Sequence, residues 1–174
     1  MKVLAFAASS STKSINKKLV TYALSFLKGV EIELLDLNDY ELPLFSEDKE
    51  EEIGQPILAK EFFRKIGESD AVIISFAEHN GSYSVAYKNI FDWCSRIDPK
   101  VFQGKPMVFL STSPGRRSGA RVLAAAVKSA SSFAGIVKAS LSVPSFNKNF
   151  SLESNTLIHK ELDEQLKRAV KSLL

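Results

Sequence analysis

The first twenty-eight residues contain no glycine. That absence removes two phosphate-binding loops at once: the G-x-G-x-x-G turn after the first strand of a dinucleotide fold, and the G-x-x-x-x-G-K-[ST] of a P-loop. Cysteine is nearly absent too. Cys94 stands alone, so no internal disulfide and no C-x-x-C metal site can form, and with His79 and His159 as the only histidines a histidine-rich metal centre is unavailable. Neither sign of charge dominates. Lysine and arginine number 23 and aspartate and glutamate 20, leaving +3. The basic residues are dispersed, with Arg116-Arg117 the one tight pair, too little for a nucleic-acid surface. No apolar run is long enough for a signal-peptide core or a membrane span. The expectation is a soluble cytoplasmic protein with no nucleic-acid, membrane or metal partner. Its 174 residues suffice for one domain, 1–174, with a substantial core.

What stands in place of the glycines is a run of hydroxyls. Val3-Leu4-Ala5-Phe6-Ala7-Ala8 reads as a buried strand, and Ser9-Ser10-Ser11-Thr12-Lys13-Ser14-Ile15-Asn16 as a loop entering a helix that carries Leu19, Val20, Ala23, Leu24 and Leu27. A helix N-terminus offers unpaired N–H groups and the positive end of the macrodipole. With five hydroxyls beside it, the segment reads as a socket for a terminal phosphomonoester. The plainer reading is an N-cap followed by a solvated turn, because serine and threonine are favoured there anyway.

Strand and helix signals then alternate. Strands are expected at Val3–Ala8, Val30–Leu37, Ala71–Ala77, Pro106–Ser111 and Ile136–Val143, with helices at about 15–28, 57–68, 85–97, 118–134 and 156–173. Ser46–Glu52 reads as a solvated, mobile loop. Five alternating units imply a parallel sheet between two helical layers. Strands one, three and four are near-continuous apolar runs, as central parallel strands are. Strand two carries Glu31, Glu33 and Asp36, and strand five Lys138, Ser140 and Ser142, as edges tolerate. The resulting order, 2-1-3-4-5, is the flavodoxin-like doubly wound α/β fold, a three-layer arrangement whose ligand site lies at the carboxyl ends of strands one and three. The loops expected at that rim are the hydroxyl run, Glu78-His79-Asn80-Gly81-Ser82-Tyr83, and Thr112-Ser113-Pro114-Gly115-Arg116-Arg117-Ser118-Gly119.

On these residues the chain resembles the NADPH-dependent FMN reductase family, which includes azoreductase-, quinone reductase- and chromate reductase-like members. A family loop close to G-S-x-R-x-x-S-x-N is matched by Ala8-Ser9-Ser10-Ser11-Thr12-Lys13-Ser14-Ile15-Asn16. A second, close to P-E-Y-N-x-S and followed by K-N-x-x-D-W, is matched by Ala77-Glu78-His79-Asn80-Gly81-Ser82 and Lys88-Asn89-Ile90-Phe91-Asp92-Trp93. The third, G-K-P and S-x-S-P-G, appears as Gly104-Lys105-Pro106 and Ser111-Thr112-Ser113-Pro114-Gly115. The departures are Ala8 for the first glycine, Ser11 for the loop arginine, Ala77 for the proline, and Ser84-Val85 where many members have Pro-Gly at the helix start.

The resemblance implies an NAD(P)H-dependent oxidoreductase. FMN would be the cofactor and NADPH or NADH the co-substrate. Hydride would pass to FMN and then to a small acceptor (a quinone, azo compound, metal oxyanion or free flavin) by ping-pong. It implies that Ser9, Ser11, Ser14, Ile15 and Asn16 hold the FMN phosphate. Glu78, His79, Asn80, Gly81 and Ser82 would line the isoalloxazine edge and ribityl chain, and Ser113, Pro114 and Gly115 close over the ring. No catalytic side chain is required, since FMN carries the chemistry. A homodimer or dimer of dimers is implied, with the Tyr87–Ile97 helix as a candidate interface; its apolar stripe serves equally for packing on the sheet. Arg116-Arg117 suit a nucleotide 2′-phosphate or a solvated turn. Cys94 reads as packing. The rival class is a non-catalytic flavin-binding electron carrier or redox-sensing interaction module. Mild basicity counts against a carrier docking to basic partners.

Overall fold

The computed structural model, which describes residues 1–174, turns the apolar runs into one parallel sheet of five strands. They are β1 (Lys2–Ala8), β2 (Glu31–Leu35), β3 (Ala71–Phe76), β6 (Pro106–Thr112) and β7 (Ile136–Val143). β4 (Glu78–His79) and β5 (Ser82–Tyr83) make a separate hairpin. The order β2-β1-β3-β6-β7 is the expected 2-1-3-4-5, with β6 and β7 as the fourth and fifth strands. β3 is buried throughout and β1 and β6 beyond their first residues, whereas β2 and β7 show the half-exposed faces of edges. On β2, Lys2 and then Lys65 hydrogen-bond Glu33 and hold its carboxyl below the usual range.

Strand pleating sends alternate residues to opposite cores. Val72, Ile74 and Phe76 meet α3 (Ile57–Glu68), α4 (Val85–Ile97) and α5 (Ala120–Ala130), with Phe62, Tyr87, Cys94, Phe109 and Val122. Ala71 and Ile73 face α1 (Ile15–Leu24) and α7 (Lys160–Lys171), with Leu19, Val20, Leu166 and Val170. The chain leaves β1 toward β2 on one side, and β3 pairs on the other, so a crevice opens beyond the carboxyl ends of β1 and β3. No helix is long and apolar enough to cross a membrane.

Three segments differ from the sequence reading. Ser46–Glu52 is not a loop: Glu47–Ile53 forms α2. The Ser46 hydroxyl caps it by accepting from the Lys49 N–H, Glu47, Asp48 and Glu50 favour its positive end, and Gly54 at φ +68° stops it. Every residue of α2 stays outside the core, so the charge run is solvated as expected, yet helical. The last helix begins at Lys160 rather than 156, because Thr156–Leu157 (β9) pairs with Phe150–Ser151 (β8), which follows the short α6 (Phe146–Asn149). That excursion covers the sheet with Phe146 stacked on Phe150, ring centres 4.6 Å apart. The third difference, the hairpin, lies at the site itself.

Candidate functional site

Serine side chains build the first loop by folding back on its own backbone. The Ser11 N–H donates to the Ser9 hydroxyl at 3.2 Å, and the Lys13 N–H to the Ser11 hydroxyl at 3.3 Å. The Ser14 N–H donates to the Ser11 carbonyl at 3.1 Å. Ser14 is the N-cap of α1, accepting from the Lys17 N–H at 3.2 Å. These turns leave the N–H groups of Ser10, Thr12, Ile15 and Asn16 without a protein acceptor, all at the positive end of α1. Lys17 is held by Asp36, whose carboxyl that contact keeps below the usual range, so neutral donors dominate the loop.

The second loop is a two-residue hairpin rather than an irregular turn. Asn80 and Gly81 sit at its tip with φ +52° and +81°, the left-handed pair that Asn-Gly supplies most readily. The Asn-Gly dipeptide was the available signal. The glutamate that opens the loop reaches the start of α5: one Glu78 carboxylate oxygen accepts from the Arg121 and Val122 N–H groups, both at 3.0 Å. It therefore caps α5, whose N-cap Gly119 offers no side chain. One of the two carboxylate oxygens of Glu78 is thereby committed to the helix. Glu78→Ala is expected to cost about 1–2 kcal/mol of stability, the worth of a helix cap, and Glu78→Gln about half that, since the amide oxygen still accepts. Urea denaturation of both variants checks this; an alanine variant as stable as wild type removes the capping role.

Asn16 likewise turns inward. Its Oδ1 accepts from the Ser75 hydroxyl at 2.8 Å and the Thr112 N–H at 3.0 Å, and its Nδ2 donates to the Thr112 carbonyl at 3.2 Å. The side chain thus pins α1 to the ends of β3 and β6, and only the backbone N–H of Asn16 faces the loop. Ser84, noted in the sequence only as a departure from the family's helix start, does the same between the first two loops. Its hydroxyl donates to the Ala8 carbonyl at 2.7 Å and accepts from the Tyr87 N–H at 3.3 Å as the N-cap of α4.

In the third loop Ser113 is half-buried and Pro114 and Gly115 are exposed. The Phe146 N–H donates to the Ser113 carbonyl and the Ser145 N–H to the Gly115 carbonyl, both at 3.0 Å. Behind them Ser111 donates to the Ser118 carbonyl at 2.9 Å, and Ser118 bonds Ser142 at 2.8 Å. Gly119 has φ +75°, and a Cβ there would meet Ser111 Cβ at 3.1 Å, so glycine is required. The hairpin tip lies close to the first turn of α5: a Cβ on Gly81 would lie 3.5 Å from the Arg121 guanidinium. Arg116, Arg117 and Arg121 are exposed, and no carboxylate pairs with them. His79 is exposed on the hairpin. Cys94 is fully buried, 3.6 Å from the Ala59 carbonyl, and burial pushes its thiol up to about 12, so it is a packing group rather than a nucleophile.

The rim therefore gathers unpaired helix-start amides, a tight hairpin and a serine-braced turn at one crevice. A family profile described as NADPH-dependent FMN reductase matches residues 1–148. An NAD(P)H-dependent FMN reductase of Pseudomonas aeruginosa is 34% identical over 122 residues, covering 70% of this chain and 64% of that protein. An NADPH:quinone oxidoreductase of Arabidopsis thaliana is 32% identical over 123 residues, covering 68% and 61%. The chain thus spans a little over three-fifths of the length of these two curated relatives. Among solved structures, the flavoenzyme NAD(P)H:(acceptor) oxidoreductase FerB of Paracoccus denitrificans superposes with a TM-score of 0.77 at 23% identity, over 99% of this chain and 94% of that one. At that identity the likeness carries the flavodoxin-like fold.

Proposed function

The chain belongs to the NADPH-dependent FMN reductase family, and from that premise we propose that it is an NAD(P)H-dependent FMN oxidoreductase acting on a small acceptor of the quinone or azo class. The observation that carries this reading is the set of unpaired N–H groups at the start of α1. The residues fit FMN. The Ser10, Thr12, Ile15 and Asn16 amides, with the Ser9, Ser11 and Ser14 hydroxyls beside them, would hold its terminal phosphate. The Asn80-Gly81 tip and the exposed Ser113–Gly115 turn give two further walls, and the backbone groups of Glu78, His79, Asn80, Gly81 and Ser82 would hold the ring and ribityl chain. When bound, FMN supplies the two-electron chemistry, taking hydride from a nicotinamide and giving electrons to an acceptor.

The protein's share is binding and orientation. Ser84, Asn16 and Glu78 fix the three loops to one another, so the walls are set before a ligand arrives. Hydride transfer rewards that, because small errors of orientation cost rate steeply. The unpaired Arg116, Arg117 and Arg121 suit the extra phosphate of NADPH over NADH. One open rim shared by nicotinamide and acceptor gives ping-pong kinetics. A homodimer, or a dimer of dimers, would add a wall that excludes water, and a nicotinamide co-substrate supports work in the cytoplasm.

The identity of the flavin tests the reading. Flavin released by heat from the purified protein and separated by chromatography is expected to be FMN. FAD in its place, or no flavin after reconstitution, overturns it, the second result favouring a flavin-free interaction module.

A further inference from the structure

The first loop has a cation beside it that the fold ties up elsewhere. Lys17 lies in the first turn of α1, next to the Asn16 amide. Side chains on a helix lean toward its N-terminus, so a lysine there can reach back over the cap. Thr12, Ser14 and Lys17 border one hollow of about 560 Å³ at the helix start. The ammonium, however, donates to Asp36 Oδ2 at 2.5 Å.

Asp36 is the fixed half of that pair. It follows Leu35, the last residue of β2, which pairs with Phe6, so it stands at the carboxyl end of the sheet next to β1. Its Oδ1 accepts from the Asn38 N–H at 3.0 Å and from the Asn38 side-chain amide at 2.7 Å, as the N-cap of the short 3-10 turn Leu37–Tyr40. Three donors hold Asp36, whereas the Lys17 ammonium has one partner at the end of a flexible stem. One negative and one positive charge thus cancel at the edge of the loop. Lys13 and Lys18, the neighbouring cations, are exposed and carry no ion pair, so solvent screens them in every variant alike.

We propose that Asp36 sets the chain's preference for phosphorylated over unphosphorylated flavin, by holding Lys17 off the first loop. The inference rests on the FMN reading of that loop. Asp36 is a positioning residue in it, acting through Lys17. Removing its charge has two effects of one sign. It takes a carboxylate from beside the socket of a phosphate that carries about −1.5 to −2. It also releases an ammonium toward the hollow that Thr12 and Ser14 share.

Titration of the full chain with FMN and with riboflavin, followed by flavin absorbance, tests this. Asp36→Asn keeps the cap, since asparagine accepts from the Asn38 N–H equally well. It is expected to bind FMN about tenfold more tightly, the scale of one unit charge changed near a phosphate in a partly solvated site, and riboflavin as wild type does. Lys17→Met keeps the stem, leaves Asp36 uncompensated, and is expected to lose about tenfold for FMN alone. The double variant restores neutrality and is expected to fall within about threefold of wild type. Added salt shrinks all of these differences.

A pair that only braced the fold gives another pattern: each variant loses affinity, and FMN and riboflavin change together. That pattern overturns the proposal, as does an Asp36→Asn variant that binds FMN no more tightly than wild type. Should Asp36→Asn fail to fold, Lys17→Met decides: equal losses for the two flavins, or no loss for FMN, overturn the proposal. Wild-type protein that binds neither flavin overturns the FMN reading and this inference with it. FMN binding that ignores both charges overturns this inference alone.

Discussion

Asn16→Ala is expected to lower folding stability by about 3 kcal/mol, more than any other single change at the rim. The side chain is 3% exposed and makes three hydrogen bonds. Alanine leaves the Thr112 N–H and carbonyl and the Ser75 hydroxyl facing an apolar gap, and each buried group left unpaired costs about 1–3 kcal/mol. The Ser75 hydroxyl recovers its share by rotating, which leaves the two Thr112 groups at about 2–6 kcal/mol together and the expected loss in the lower half of that span. Asn16→Asp retains both acceptor bonds but turns a carboxylate oxygen toward the Thr112 carbonyl, so it too is expected to destabilise, with a loss that shrinks as the solution is acidified and the carboxyl protonates. Urea denaturation at two pH values reads both effects. A loss below about 1 kcal/mol for alanine contradicts the assignment of Asn16 as the pin between α1, β3 and β6.

Ser11→Asp is expected to separate stability from flavin binding. Ser11 accepts from the Lys13 N–H in the wild type, a turn that aspartate forms equally well. A carboxylate near the start of α1 also interacts favourably with the helix dipole, by about 0.3–1 kcal/mol. The fold is therefore expected to be unharmed or slightly stabilised. A phosphate held by the neighbouring amides meets the same negative charge at close range. Two unit charges 4 Å apart repel by about 4 kcal/mol at the effective dielectric of a protein surface, and a somewhat larger separation still leaves a loss of about a hundredfold in FMN affinity. Ser11→Ala serves as the neutral control and is expected to lose less than about tenfold. An aspartate variant that binds FMN as tightly as wild type removes the phosphate from this loop.

The fold was legible because its signals were long. β1, β3 and β6 are apolar runs that nothing interrupts, and the charges on β2 and β7 mark the two edges. Short segments were less so. α2 is a two-turn helix with no buried residue, so no periodicity announced it; its Ser46 cap and Gly54 stop were the only local cues. β8 and β9 are two residues each and exist through their pairing with one another, which a linear reading cannot weigh.

At the site, position was legible and orientation was not. The three loops meet where the strand order puts them. Whether a polar side chain on such a loop faces a ligand or the protein depends on which unpaired backbone groups lie behind it. Asn16 and Glu78 have the residue types of ligand contacts, yet each satisfies backbone donors from an element far away in sequence, Thr112 in one case and Arg121 and Val122 in the other. Ser84 and Ser118 show the converse. Serine is common in loops, and only the Ala8 carbonyl and the Ser142 hydroxyl reveal what they hold.

The most direct test of the account is anaerobic reduction. FMN-loaded protein is mixed with NADPH in the absence of oxygen, the flavin absorbance is followed, and a quinone is then added. Bleaching on mixing and recovery on addition of the quinone are the predicted results. A protein that holds FMN but is bleached by neither NADPH nor NADH contradicts the reductase reading and leaves a flavin-binding protein without this activity.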